Sequence, residues 1–294
     1  MKLRKLLFVL PNLFTVSSIF CGFYALTLCT GEAGPAQLYQ AALAIFFGIF
    51  FDGFDGRVAR LTKTQSMFGQ ELDSLADVVT FGAAPALVVY KWALQPLGIL
   101  GTFIAFMFAA CGALRLARFN VLAIREDAAK KAAEQAGAEM PKNHSAGRFF
   151  VGLPIPLAAG VVISMIIAHH GARGAQAVPD FARGPIAGVV VFLALLMVST
   201  IRYRTFKDLK LSARAVLTFM FIIAGGVVLA TLFHPAWLLV GIFSLYLLSG
   251  MLESVVLLRA HLKERRAAAA AIAATVDDDD EDEDEDDVDE QEVL

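Results

Sequence analysis

The sequence predicts an all-α fold, a polytopic bundle of about eight transmembrane helices. Of its 294 residues, 57% are hydrophobic and 18% are charged, whereas soluble domains carry about 25% charge. Apolar runs of about 18 residues or more recur along the chain, and each is long enough to cross a bilayer as a helix. Because backbone groups in lipid must bond within their own segment, helices are the expected form of these runs.

The apolar runs give the order of the predicted spans. They lie at approximately 12–30, 38–60, 70–92, 97–119, 151–169, 184–201, 214–233 and 236–257. The basic start and the apolar run of residues 1–14 are typical of a secretory leader, but Pro11 and Asn12 interrupt the run and no cleavage site follows. We therefore expect the first helix to be retained.

The basic residues predict how the bundle is oriented. An even number of spans places both termini on one side, and the segments assigned to that side hold 22 of the 25 lysines and arginines. Lys91, Arg173 and Arg183 are assigned to the other side. The positive-inside rule then predicts a multi-pass cell (inner) membrane protein with both termini in the cytoplasm.

The C-terminal end differs from the rest of the chain. We expect an integral membrane domain over 1–262 and a disordered cytoplasmic tail over 263–294. Residues 277–292 carry 14 of the 28 acidic residues, and such a run of like charges does not fold by itself.

Four aspartates lie near the cytoplasmic ends of the second and third predicted spans. One helical face carries Asp52, Asp55, Gly56, Ala59 and Arg60 within about 140°, and the next carries Ser66, Gly69, Asp73 and Asp77 within about 80°. A short turn joins the two helices, so the four carboxylates can converge. Both faces consist mainly of small or acidic residues.

Converging carboxylates near a membrane require compensation. A single one costs roughly 2.5–3.5 kcal/mol at a helix centre, and mutual repulsion adds to this. Two Mg²⁺ or Mn²⁺ ions would remove the penalty, because such ions prefer oxygen ligands and can share carboxylates. Alternatively, the acids pair with Arg57, Arg60 and Lys63 and cap a cytoplasmic loop.

The spacing of these residues resembles a family signature. Asp52-x-x-Asp55-Gly56-x-x-Ala59-Arg60, eight residues, then Gly69-x-x-x-Asp73-x-x-x-Asp77 matches the signature of the CDP-alcohol phosphatidyltransferases at every fixed position. Four further segments resemble the membrane phosphatidylserine synthases of that family: LPNLFTVSSIFCGF, DSLADVVTFGAAPA, ALRLARFN and FVGLPIPLAAG. The resemblance covers about residues 10–160.

The resemblance implies roles for individual residues. Asp52, Asp55, Asp73 and Asp77 would hold two metal ions, with Asp52 and Asp73 as bridging ligands and Asp77 also the general base. Gly56, Arg60 and Ser66, together with Ala59 and Gly69, would contact CDP-diacylglycerol, and Asn12 and Thr15 its cytidine. The family also implies a six-helix core, so that the last helices are an addition, and a homodimer.

The implied reaction transfers the phosphatidyl group of CDP-diacylglycerol to L-serine and releases CMP. Arg115, Arg118 and Arg148 are candidates for binding the serine carboxylate, and Asn120 for its ammonium group. No nucleic-acid partner is expected. Two alternatives stay open: a family member with another acceptor, such as glycerol 3-phosphate or an inositol compound, and a cation transporter that uses the four acids as its ion site.

Overall fold

The structure is a computed structural model. It describes residues 2–62, 64, 66–135, 149–199, 201–204, 239–241 and 243–245. The predicted span at 214–233, most of that at 236–257, the acidic tail, Lys63 and Arg148 lie outside the described residues.

The described chain is almost entirely helical, as the sequence predicts. Its α-helices are α1 (Lys2–Leu28), α2 (Pro35–Thr62), α3 (Met67–Asp77), α4 (Ala84–Val89), α5 (Ile99–Gln135), α6 (Ile155–Arg173) and α7 (Asp180–Val198). The π-helical segment Val78–Ala83 joins α3 to α4, and a second π-helical segment, Tyr90–Leu94, and a 3₁₀ turn, Gln95–Leu97, continue the helix beyond α4. The sequence did not predict these departures from α geometry.

Five helical segments within the described residues are long and apolar enough to cross a membrane. They are Pro11–Leu28, Met67–Leu97, Ile99–Arg125, Ile155–Arg173 and Asp180–Val198. The span predicted at 38–60 forms the helix α2 but is not among the five. Residues 239–241 and 243–245 of the last predicted span are helical, and the ring of Phe243 occupies the place that a Cβ at Gly160 would need.

A two-stranded antiparallel sheet joins the segment before α6 to the segment after α7. It pairs β1 (Phe149–Val151) with β2 (Arg202–Arg204). Gly152 follows β1 with φ 81° and donates its N–H to the carbonyl of Ile201 at 2.8 Å. A positive φ favours glycine, and a Cβ here would collide with the carbonyl oxygen of Met197. These short strands are an addition to the all-α fold that the sequence predicts.

Thr80 holds α1, α2 and the first π-helical segment in close contact. Its hydroxyl donates to the carbonyl of Ser18 at 2.9 Å. A Cβ at Gly22 of α1 would lie 2.7 Å from the Thr80 Cα, and one at Gly48 of α2 would lie 2.7 Å from its Cγ2. Both glycines are therefore required by packing. Because Asp77 and Asp52 are each about one turn from this contact, it brings α2 and α3 together at their acidic residues.

Candidate active site

The four aspartates come together where α2 and α3 approach each other. One carboxylate oxygen from each of Asp52, Asp55 and Asp73 lies within 4.8 Å of the other two. The carboxyl groups of Asp52 and Asp77 lie within hydrogen-bonding reach of each other. Two carboxylates at this separation repel unless a proton or a cation lies between them.

The environment of these oxygens fits a bound cation. Asp73 Oδ1 and Asp77 Oδ1 are buried and have no hydrogen-bond partner among the described residues. Nor does any arginine in that part of the chain form an ion pair with the four aspartates. Arg57 and Arg60 therefore form no close ion pair with them, although Arg60 lies near enough to Asp55 to interact with it electrostatically. An all-oxygen donor set of this kind suits Mg²⁺ or Mn²⁺.

Thr15 fixes the position of one of these carboxylates. Its hydroxyl lies 2.8 Å from Asp55 Oδ2, to which it donates, and 3.2 Å from the carbonyl of Pro11. Thr15 is 4% exposed and Asp55 is 6% exposed, so this bond is shielded from water. The structure thus places Thr15 against a candidate metal ligand, whereas the sequence assigned it to cytidine.

A polar cavity of about 280 Å³ opens beside the aspartates. It is lined by Asn12, Thr15, Asp55, Gly56, Ala59, Arg60, Ser66, Gly69 and Asp73, and also by Pro11, Thr64 and Gln70. The first nine are all residues that the sequence singled out. The sequence analysis did not select Pro11, Thr64 or Gln70, because none of them is a fixed position of the signature. Thr64 lies between two fixed positions, Arg60 and Gly69, and Gln70 directly follows Gly69.

The N-terminus of α3 faces this cavity. Ser66 is the N-cap residue, and its Oγ accepts the N–H of Gly69 at 3.0 Å. Amide groups and the helix dipole make a helix N-terminus attractive to phosphate. Among the described residues, an added Cβ at Gly56 would have Arg60 Nη1 as its one neighbour within 4 Å, at 3.7 Å. A side chain there would project beside the guanidinium into space that a phosphate could use.

Arg115 of α5 reaches the same group of acids from another side. It is 8% exposed and interacts electrostatically with Asp77. Its guanidinium carbon lies 5.8 Å from the centre of the Phe119 ring, while its Nε is buried without a hydrogen-bond partner among the described residues. A buried guanidinium with an unused donor next to a carboxylate is suited to bind a further anion.

The other two described candidates for the serine pocket, Arg118 and Asn120, have different hydrogen-bond partners. Arg118 is exposed and donates from Nη1 to the carbonyl of Val198 at 3.4 Å, at the end of α7. Asn120 Nδ2 donates to Ser74 Oγ at 3.0 Å, which ties α5 to α3 beside Asp73. Arg115 and Arg118 thus point to different neighbours, although the sequence allowed both to face one cavity.

An apolar groove of about 880 Å³ runs along α1 and α2. Its lining includes Val16, which directly follows Thr15 in the sequence, and Phe51, which directly precedes Asp52. Phe20, Tyr24 and Phe47 line it further along and are partly exposed. The groove therefore has lining residues adjacent in sequence to two residues of the acidic site, and it extends along the apolar faces of the two helices.

The fold, the four-aspartate site and the spacing of its residues define a class of membrane transferase. The sequence pattern of the CDP-alcohol phosphatidyltransferase family matches residues 8–201. The chain belongs to this family.

Several relatives share one name. A protein of Helicobacter pylori strain J99, called CDP-diacylglycerol–serine O-phosphatidyltransferase, is 34% identical over 86% of this chain and 93% of its own length. A protein of the same name from Bacillus subtilis is 32% identical over 67% of this chain and 91% of its own. One from Saccharomyces cerevisiae is 38% identical over 51% of each chain.

Proposed function

We propose that this protein transfers the phosphatidyl group of CDP-diacylglycerol to L-serine and releases CMP. The observation that carries the proposal is the convergence of Asp52, Asp55, Asp73 and Asp77 beside a cavity lined by the other signature residues. The relatives named for this reaction, at 32–38% identity, support serine as the acceptor.

In this proposal Asp52, Asp55, Asp73 and Asp77 would hold two Mg²⁺ or Mn²⁺ ions. Such ions would neutralise the pyrophosphate and stabilise the leaving CMP. Thr15 keeps the Asp55 carboxylate in place through its 2.8 Å hydrogen bond. Arg60 and the N-terminus of α3 bind the phosphates of the nucleotide, and Gly56 leaves them room.

Asp77 acts as the general base. It takes the proton of the serine hydroxyl while the hydroxyl oxygen attacks the phosphorus atom bound to the diacylglycerol. A new P–O bond to serine forms as the bond to the CMP oxygen breaks, and CMP leaves with the bonding electron pair. Burial of Asp77, at 9% exposure, excludes water that would otherwise compete with serine as the nucleophile.

Arg115 binds the serine carboxylate. It is buried, has an unused donor, and interacts with the proposed base. In this proposal the serine carboxylate lies beside Asp77, within reach of which its hydroxyl would then lie. Serine needs one fixed cation for its carboxylate, whereas the dianionic phosphate of glycerol 3-phosphate would require several.

The apolar groove along α1 and α2 holds an acyl chain of the lipid substrate. Two of its lining residues, Val16 and Phe51, are adjacent in sequence to Thr15 and Asp52. A diacyl lipid must keep its chains in an apolar environment while its headgroup enters a polar cavity. The groove offers such an apolar environment to the acyl chains of a substrate that arrives from the bilayer.

We also propose the orientation that the basic residues predict, with both termini and the active site in the cytoplasm. The membrane domain would span 1–262, and the acidic tail would follow over 263–294. A homodimer is likewise a proposal, although every residue assigned to the site belongs to one chain.

The function is tested by identifying the lipid product. Purified protein would be incubated with CDP-diacylglycerol, Mg²⁺ and one acceptor at a time: L-serine, glycerol 3-phosphate or myo-inositol. The proposal expects phosphatidylserine and CMP with serine only. Formation of phosphatidylglycerol phosphate would show that glycerol 3-phosphate is the acceptor, and the proposed aspartate site would be retained. Cation uptake into proteoliposomes without CMP release would favour a transporter.

A further inference from the structure

A second polar cavity lies at the end of the bundle away from the aspartates. It has a volume of about 170 Å³ and is lined by residues of the α1–α2 loop, α2, the segment Tyr90–Leu94, α6 and the loop after α6. Leu38 of α2 lines it, and Asp52 follows on the same helix after 14 residues, or about 21 Å. The two cavities are therefore separate.

Four polar side chains line this second cavity: Lys91, His169, His170 and Gln176. Lys91 Nζ donates to the carbonyl of Gly31 at 2.9 Å, which uses one of its three donors. His169 Nε2 and His170 Nδ1 are buried and have no hydrogen-bond partner in the part of the chain that the structure describes. Buried polar atoms without partners are costly, so these nitrogens are suited to a bound ligand.

The charges around the cavity indicate the sign of that ligand. No carboxylate is among the described residues that line it. Lys91 contributes a positive charge, and Arg173 lies close enough to His169 to interact with it electrostatically. Lys91 and Arg173 are two of the three basic residues that the sequence assigns to this side. An excess of donors and positive charge favours an anion.

Aromatic side chains hold the two histidines in place. The ring of Tyr39 stacks on that of His170 with centroids 4.3 Å apart. Trp92 meets His169 edge-on at 5.6 Å. These contacts account for the positions of the rings but use none of their nitrogens. The two rings are thus arranged before any ligand arrives, which reduces the entropy cost of binding.

We propose that this cavity binds a phosphate-type oxyanion, held by Lys91, His169, His170 and Gln176. A tetrahedral oxyanion fits, since the cavity is several times the roughly 30 Å³ that a water molecule occupies in the liquid. Such an anion could be free phosphate or the phosphate of a lipid headgroup, because the cavity lies at the end of apolar helices. The site is independent of the transfer reaction at the aspartates.

The test measures the melting temperature of the purified full chain in uncharged detergent with EDTA. All proteins carry Arg60→Gln, so that phosphate at the candidate active site contributes little. Inorganic phosphate is titrated against chloride at constant ionic strength. In a second arm, nanodiscs of phosphatidylcholine are compared with nanodiscs that also contain phosphatidylglycerol. A ligand that binds only the folded state raises the melting temperature.

Lys91→Gln and His170→Phe should each weaken the apparent phosphate affinity about tenfold, the loss expected for one strong hydrogen bond. Arg183→Gln is the matched control, because Arg183 lies on the same side but pairs with Asp180 at 2.7 Å.

If these variants do not fold, Gln176→Ala in the exposed loop tests the same site. Stabilisation by phosphatidylglycerol alone, lost in the variants, identifies a lipid source. No stabilisation in either arm, or an equal response of variants and parent, overturns the proposal.

Discussion

Asp77 has the most demanding role of any single residue in this account, since it would both contact a metal and accept a proton. Asp77→Asn keeps the size of the side chain but removes its basicity. We expect the rate of phosphatidylserine formation to fall at least 10²–10⁴-fold, the usual cost of losing a general base, while CDP-diacylglycerol still binds. Glu71→Gln, an exposed acid on the same helix, serves as the control. Retention of about a tenth of the rate by Asp77→Asn would mean that another group takes the proton.

Arg115 and Arg118 offer a comparison within one helix. Arg115→Gln should raise the KM for serine about 10–100-fold, because a hydrogen bond to a charged group contributes about 1.5–3 kcal/mol. Arg118→Gln should leave it nearly unchanged, because that guanidinium binds the carbonyl of Val198. Steady-state kinetics with serine and with CDP-diacylglycerol varied separately gives both constants. An unchanged serine KM in Arg115→Gln would place the carboxylate elsewhere.

Residue spacing could predict some of these contacts and not others. The intervals 52–55 and 73–77 place each pair of aspartates on one helical face, and the structure brings these two faces together. The bond from Thr15 to Asp55 joins residues 40 apart, so no local pattern reveals it. Arg115 and Arg118 separate because α7 ends beside only one of them, which depends on tertiary packing.

At the scale of elements, the close contact of α1, α2 and the first π-helical segment determines where the aspartates meet. Gly22→Ala would put a methyl group 2.7 Å from the Thr80 Cα, and relief requires the backbones to move apart. We expect a loss of about 1–3 kcal/mol in stability, typical of overpacking, together with lower activity. Unfolding in denaturant and the transfer rate would be measured together.

Gly53→Ala is the matched control for this substitution. Gly53 lies in α2 next to Asp52, and an added Cβ there meets no atom of the described part of the chain within 4 Å. Alanine is favoured over glycine within helices by about 0.5–1 kcal/mol, so stability should be unchanged or slightly higher. Equal effects of Gly22→Ala and Gly53→Ala would show that close packing at Thr80 does not position the site.

The presence of the helices could be predicted from the apolar runs. The π-helical geometry within the third predicted span could not. Hydropathy averages over residues and does not distinguish α from π geometry. The π-helical segment begins immediately after Asp77, and such segments frequently occur at functional sites. Thr80 of this segment packs against α1 and α2, and these contacts involve residues distant in sequence.

At the scale of the whole molecule, the distribution of 22 and 3 basic residues predicts the orientation in the membrane. A cysteine introduced into the acidic tail, at 277–292, in a background without the three native cysteines should react with a membrane-impermeant thiol reagent only after cells are broken. A cysteine at Gln176 should react in intact spheroplasts. Labelling of the tail in intact spheroplasts would reverse the orientation or require an odd number of spans.

The central claim is that four converging aspartates carry out a metal-dependent transfer to serine, and serine-dependent release of CMP tests it most directly. Purified protein with CDP-diacylglycerol and L-serine would be assayed in excess EDTA, and again after Mg²⁺ or Mn²⁺ is restored. We expect no CMP in EDTA, full recovery with either metal, and no recovery in Asp52→Asn or Asp73→Asn. Undiminished, serine-dependent CMP release in excess EDTA would contradict the account.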